Sequence, residues 1–139
     1  MRVLEDLAEK NRTAPVIVEG DRDRKALRGL GLRGDILVIN RGTSIFQLCE
    51  ILGREHKAAI ILTDWDVRGG RLARQLRDGL AANGVRFDDG LRARITRLCR
   101  KEISDVESLH AYVERVSDIV GHRDQSKPSK RWYARRWPP

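Results

Sequence analysis

The chain has 139 residues, enough for one domain with a substantial core, and its 40% apolar content is that of an ordinary folded protein. Lys and Arg outnumber Asp and Glu by 28 to 20, a net charge of +8 that points to a polyanionic partner, nucleic acid before anionic membrane. No apolar run reaches the ~18 residues of a membrane span, the acidic Glu5-Asp6 near the start is unlike a signal peptide, and no Cys/His spacing resembles a zinc site.

Aromatic residues are only 5%, so the core must be built from Val, Ile, Leu and Ala. Cys49 and Cys99 stand alone in apolar patterns and read as small buried hydrophobes of a protein kept in a reducing cytosol. Val3, Leu4, Leu7 and Ala8 have helical spacing and predict a short leading helix, which Thr13-Ala14-Pro15 breaks. Val16-Ile17-Val18 is β-branched throughout and predicts a buried strand ending at Glu19-Gly20. Asp21 is a candidate N-cap for a helix with Ala26, Leu27 and Leu30 on its apolar face, ending between Gly29 and Gly34.

Ile36 to Ile39 predict a second strand, ending at Asn40-Arg41-Gly42. Thr43 or Ser44 can cap the following helix, which Ile45, Leu48, Cys49, Ile51 and Leu52 would bury. Ala58 to Leu62 predict the third strand. Leu72, Ala73, Leu76, Leu80 and Ala81 mark a strong helix stopped by Asn83-Gly84. Val85 to Gly90 is turn-rich. Leu91 to Leu98 alternates apolar and mostly basic residues, which predicts a fourth strand. Ser104 and Glu107 have capping-box spacing ahead of a last helix with Val106, Leu109, Val113, Val116 and Val120.

The pattern therefore predicts a domain over residues 1–121 and a basic, aromatic tail over 122–139. Alternating strands and helices imply an α/β fold with a four-stranded, mostly parallel sheet flanked by helices. Ligands of such sheets bind at the carboxyl ends of the strands. Glu19, Asn40, Asp64 and Asp66 all fall at predicted carboxyl ends. Glu19, Asp64 and Asp66 crowded on one edge would repel one another unless a cation neutralised them. Hard oxygen donors without Cys or His suit Mg2+, with Mn2+ as a substitute. Such an ion also binds phosphate oxygens, so a phosphodiester is the expected substrate. Glu19 can ligate the ion or act as general acid or base.

Gly69-Gly70 before a helix offer a phosphate seat. Arg68 and the Arg71, Arg74 and Arg77 row can follow a nucleic-acid backbone. In the tail, Arg131, Trp132 and Arg135 combine charge with a stacking surface. Plainer roles exist for each group. Asp64 or Asp66 can merely cap a helix, and Glu19 can be a solvated strand end. Asp21 and Asp23 read as a cap and a surface charge. The arginine row can be a solvated face, and the tail can lack function.

Val16-Ile17-Val18-Glu19-Gly20, followed by a helix, resembles the first motif of the Toprim domain. Ile61-Leu62-Thr63-Asp64-Trp65-Asp66-Val67-Arg68-Gly69 resembles its second, the Asp-x-Asp motif with a following glycine. The resemblance spans about residues 14 to 120. It implies a compact Rossmann-type fold, with Glu19 as acid/base residue or ligand and Asp64 and Asp66 as magnesium ligands; Asp21 and Asp23 match looser positions. Trp65 is bulky for its place between the acids and is expected to shape access. Toprim domains occur in topoisomerases, primases, recombination proteins and several nucleases. No second domain with a nucleophilic tyrosine, zinc module or ATPase accompanies this one. The resemblance therefore implies a stand-alone protein similar to the small nucleases of ribosomal-RNA maturation.

Three functions follow as expectations. The first is a magnesium-dependent nuclease acting on RNA or DNA in the cytoplasm. The second is a non-catalytic, metal-holding module that binds nucleic acid or supports assembly. The third, a phospho-acceptor receiver, needs a fifth strand that the pattern lacks.

Overall fold

The computed structural model describes residues 1–39 and 42–123. Helix α1 (Arg2–Asn11) buries Val3, Leu4, Leu7 and Ala8. Strand β1 (Val16–Val18) follows and is buried along its whole length. Then come α2 (Asp21–Gly29), β2 (Ile36–Val38), α3 (Ile45–Glu55), β3 (Ala58–Ile61) and α4 (Val67–Ala82). Strand β4 (Arg86–Asp88), α5 (Gly90–Cys99) and α6 (Leu109–Arg123) complete the described chain. The four strands form one all-parallel sheet in the order β2-β1-β3-β4. Asn40 and the tail from residue 124 lie outside the described residues, as do the predicted contacts of Arg131, Trp132 and Arg135.

The sheet is covered on both faces, which is why its central strands read as continuous apolar runs. Val16, Val18, Ile36, Ile60 and Leu62 join Leu4, Leu7, Leu27, Ile95 and Leu109 on one side. Ile17, Ile61, Ala59 and Ile39 join Cys49, Leu52, Ala73, Leu76 and Leu80 on the other. Ser44 caps α3 by accepting the Gln47 N–H, and Gly84 takes a positive φ of 72° to end α4. Both cysteines are buried free thiols. Among the described residues, no helix is long and apolar enough to cross a membrane.

Three local expectations need correction. The fourth strand is Arg86–Asp88, in the stretch expected to be turn, and residues 90–99 are helical. Leu91, Ile95 and Cys99 are buried at a spacing of four, whereas Leu98 is 57% exposed. The apparent alternation came from the exposed Ala93 and Leu98, which the core does not use. The second correction concerns Ser104, which does not cap a helix. The last helix begins at Leu109, and Asp105 accepts the Ser108 N–H at 2.8 Å ahead of it. Glu107 instead faces Arg22 at 3.6 Å. Finally, Gly20 rather than Asp21 is the N-cap of α2. Asp23, in the third helical position, reaches back to accept the Gly20 N–H at 2.9 Å.

At the amino edge, one buried side chain sets the spacing of β1 and β2. Asn11 is 1% exposed. Its Nδ2 donates to the Ala14 and Asp35 carbonyls at 3.1 and 2.9 Å, and its Oδ1 accepts the Gly34 N–H at 2.8 Å. A Cβ at Gly34 would fall 1.9 Å from the Asn11 carbonyl oxygen, so only glycine permits this approach. Asn11→Ala leaves the Ala14 carbonyl and the Gly34 N–H without these partners, while the Asp35 carbonyl keeps the Val16 N–H, and is expected to lower the unfolding free energy by about 2–4 kcal/mol in a urea titration. A change within about 0.5 kcal/mol, the range of ordinary surface substitutions, would contradict this role.

Candidate functional site

The chain runs from β1 outward to β2, then crosses back over β1 to β3. The β1–β3 boundary is therefore the switch point, where the loops leaving two adjacent strands part and open a crevice. Glu19 leaves β1 and Asp64 leaves β3 at this point. Glu19 is 8% exposed and Asp64 half-buried. The Asp64 N–H donates to Glu19 Oε2 at 2.8 Å. Glu19 thus lies close enough for its charge to disfavour a charge on Asp64, which a proton or a cation on Asp64 would relieve.

The turn between Asp64 and α4 is held by its own backbone. The Thr63 hydroxyl donates to the Gly69 carbonyl at 2.7 Å, and Asp66 Oδ1 accepts the Gly69 N–H at 2.7 Å. A Cβ at Gly69 would fall 1.8 Å from the Asp64 carbonyl oxygen. Asp66 thus caps α4 and is exposed, with one oxygen committed to the helix. Arg68 Nε lies 3.9 Å from Glu19 Oε1, while Arg71 and Arg74 point into solvent. Arg77, grouped with them in the sequence, is instead paired with Asp89 at 3.1 Å.

Three contributors escaped the sequence reading. Asp23, expected at the surface, is 6% exposed. Burial, then the charge of Asp64, pushes its carboxyl up from 3.8 to about 6, although the Gly20 N–H opposes the shift. The Gly20-x-x-Asp23 spacing, a helix N-cap followed by an acid at the third helical position, was the signal available for it. Arg92 lies beneath the turn, and its Nε and Nη2 donate to the Thr63 and Asp64 carbonyls at 2.9 and 2.7 Å. Burial and the Arg77 charge pull its guanidinium below its ordinary value, against Asp89, Glu19 and Asp64. Nothing in a stretch that reads as a strand marked this residue.

The third contributor is the connection from α5 to α6. Val106 N–H donates to Asp64 Oδ1 at 2.8 Å. Trp65 donates its backbone N–H to the Ser104 carbonyl at 2.9 Å and its indole N–H to the Ile103 carbonyl at 2.6 Å. Trp65 therefore fastens that connection to the site. Burial, then Glu19, raises the Asp64 carboxyl to about 6, with the Val106 N–H opposing.

The structure thus brings Glu19, Asp64 and Asp23 together and turns Asp66 toward its helix. Among the described residues, no set of three or more His, Cys, Asp or Glu side chains forms a metal-holding group. The oxygen donors of Glu19 and Asp64 nevertheless fit magnesium. That ion commonly takes one or two carboxylates and fills its remaining positions with water and substrate phosphate.

Both raised carboxyls bind protons more tightly in the folded chain than in the unfolded one. Their stabilising contribution is complete below the ordinary 3.8 and is lost as pH rises through about 6. The metal-free melting temperature is therefore expected to be higher at pH 5 than at pH 7.5. Asp23→Asn should remove part of that difference and keep an acceptor for the Gly20 N–H. A melting temperature independent of pH over this window, in both proteins, would contradict the burial of these acids.

No family model matches the chain. A UPF0292 protein of Methanosarcina barkeri is 36% identical over 121 residues, covering 86% of this chain and 84% of its own. One of Methanocaldococcus jannaschii is 34% identical over 116 residues, covering 83% and 90%. Among solved structures, a putative protein from Aquifex aeolicus superposes with a TM-score of 0.68 over 77% of this chain and 94% of its own. Its 22% identity makes that a likeness of fold.

Proposed function

This chain belongs to the UPF0292 family, and from that starting point we propose that it is a Toprim-type, magnesium-dependent nuclease acting on RNA or DNA. The observation that carries the reading is the buried Glu19 carboxyl accepting the Asp64 N–H at the switch point of the sheet, which sets the two acids side by side. An acid pair this buried is costly unless its charge is used. On this reading Glu19 and Asp64 hold the ion, and Asp66 adds its second oxygen while its first caps α4. Bound magnesium supplies neutralising charge and polarises a phosphodiester.

The remaining chemistry belongs to side chains of this protein. Glu19 Oε1, which is not engaged by the Asp64 N–H, accepts a proton from the attacking water or hydroxyl. Arg68 meets the phosphate beside it. Arg92 keeps the Thr63 and Asp64 carbonyls in place, so the Asp64 side chain returns to the same position after each turnover. The +8 charge favours a nucleic-acid partner, and the two buried thiols suit a cytoplasmic setting.

Purified protein is expected to cleave structured RNA or single-stranded DNA with Mg2+, to stop when the ion is chelated, and to recover with Mn2+. Glu19→Gln and Asp64→Ala should each lower the rate by about a hundredfold or more. Asp66→Ala should in addition cost about 1 kcal/mol of stability through the lost cap. Metal-independent binding with no cleavage on any substrate of a broad panel would replace this reading with a non-catalytic binding or assembly module. Removal of residues 122–139 is expected to weaken nucleic-acid binding and flatten its salt dependence.

A further inference from the structure

Val67, Gly70, Arg71, Arg74 and Gln75 line a groove of about 560 Å³ on the first turns of α4, beginning one residue beyond Asp66. Three features of it have no structural explanation. Val67 is 74% exposed, the largest exposure of any big apolar residue described. Gly70 has nothing within 4 Å of where a Cβ would lie, so packing does not require glycine there. A glycine inside a helix is about 0.5–1 kcal/mol worse than alanine. Its effect here is to keep the floor of the groove open.

The third feature is charge. Arg71 and Arg74 have no ion pair or hydrogen bond among the described residues, whereas Arg68 and Arg77 on the same helix face Glu19 and Asp89. Helix α4 carries no acid before Asp78. Two unpaired guanidinium groups three residues apart sit about 5–6 Å from each other at their Cβ atoms. They form a short cationic row beside an apolar floor.

Resting on the reading of the carboxylate site as a nuclease centre, we propose that this groove carries an unpaired nucleic-acid strand away from that centre, with its phosphates on Arg71 and Arg74 and a base against Val67 and Gly70. The row matches a polyanion, and the exposed apolar floor matches the flat face of a base, which stacks irrespective of sequence. The volume is that of a small-molecule pocket, within roughly 300–1,000 Å³. A specific duplex complex covers roughly 1,000–2,500 Å² of protein surface, far more than five side chains provide. A strand end or an unpaired segment therefore fits, and a duplex lying across the helix does not.

The test uses the full chain and a labelled short oligonucleotide, single-stranded or annealed to its complement, followed by fluorescence anisotropy with the metal chelated. Gly70→Leu is expected to weaken single-strand binding about tenfold or more, the equivalent of one lost base contact. Its melting temperature should hold or rise, because leucine is the better helix former. Arg71→Ala combined with Arg74→Ala should reduce the slope of log K against log salt by about 1.4, the value for two single-strand phosphates.

Unchanged affinity and slope in these variants overturn the groove, even if Glu19→Gln still abolishes cleavage. A duplex that binds as tightly as the single strand, with the same response to Gly70→Leu, overturns the unpaired strand as occupant. So does binding to phosphatidylserine vesicles with no binding to either oligonucleotide. The expected losses in a protein that cleaves nothing keep the groove and remove the nuclease reading.

Discussion

The Glu19 carboxyl accepts the Asp64 N–H because β1 and β3 are hydrogen-bonded neighbours that end together. The Ile17 carbonyl accepts the Leu62 N–H at 2.9 Å, and two residues later on each chain the acids emerge side by side. Two acids crowded at a partly buried strand edge are unfavourable, and the surrounding structure offsets this. The Asp64 N–H serves Glu19, the Val106 N–H serves Asp64, and Arg92 brings positive charge beneath the turn. Each partner comes from a different segment, so the acid pair and the tertiary fold depend on each other.

The turn from Thr63 to Gly69 is the rigid part of this arrangement. Its hydroxyl bond, its Asp66 cap and the close approach of Gly69 to the Asp64 carbonyl leave it little freedom. The α5–α6 connection is held to the site through Trp65 and one backbone N–H, and to the core through the buried Val106. A metal or substrate that draws Asp64 forward would compete with the Val106 N–H, which links occupancy of the crevice to the packing of residues 103–108.

The first three strands were legible because both faces of the sheet are buried and the strand runs are continuously apolar; the order β2-β1-β3-β4 was not. The helix from Gly90 was not. In Leu91-Arg92-Ala93-Arg94-Ile95 a period of two and a period of four share Leu91 and Ile95, and only burial distinguishes them. That ambiguity also hid Arg92: on a strand it would be one more surface cation, whereas on α5 it reaches under the site. Asp23 was missed for a related reason. Its spacing from Gly20 is local, but its burial comes with the tertiary packing, in which α2 lies against α6.

By itself, the sequence determined an α/β fold with a largely aliphatic core, the helix stop at Asn83-Gly84, a cap at Thr43 or Ser44 and the placing of Glu19, Asp64 and Asp66 after apolar strand runs. These depend on backbone preferences and apolar periodicity, which act over a few residues. Tertiary structure alone decided which acids meet. It joined Glu19 to Asp64 through neighbouring strands, turned Asp66 toward its own helix, buried Asp23 and drew in Arg92 and Val106. Charge interactions across such distances in sequence depend on dielectric and separation, and both exist only once the chain has folded.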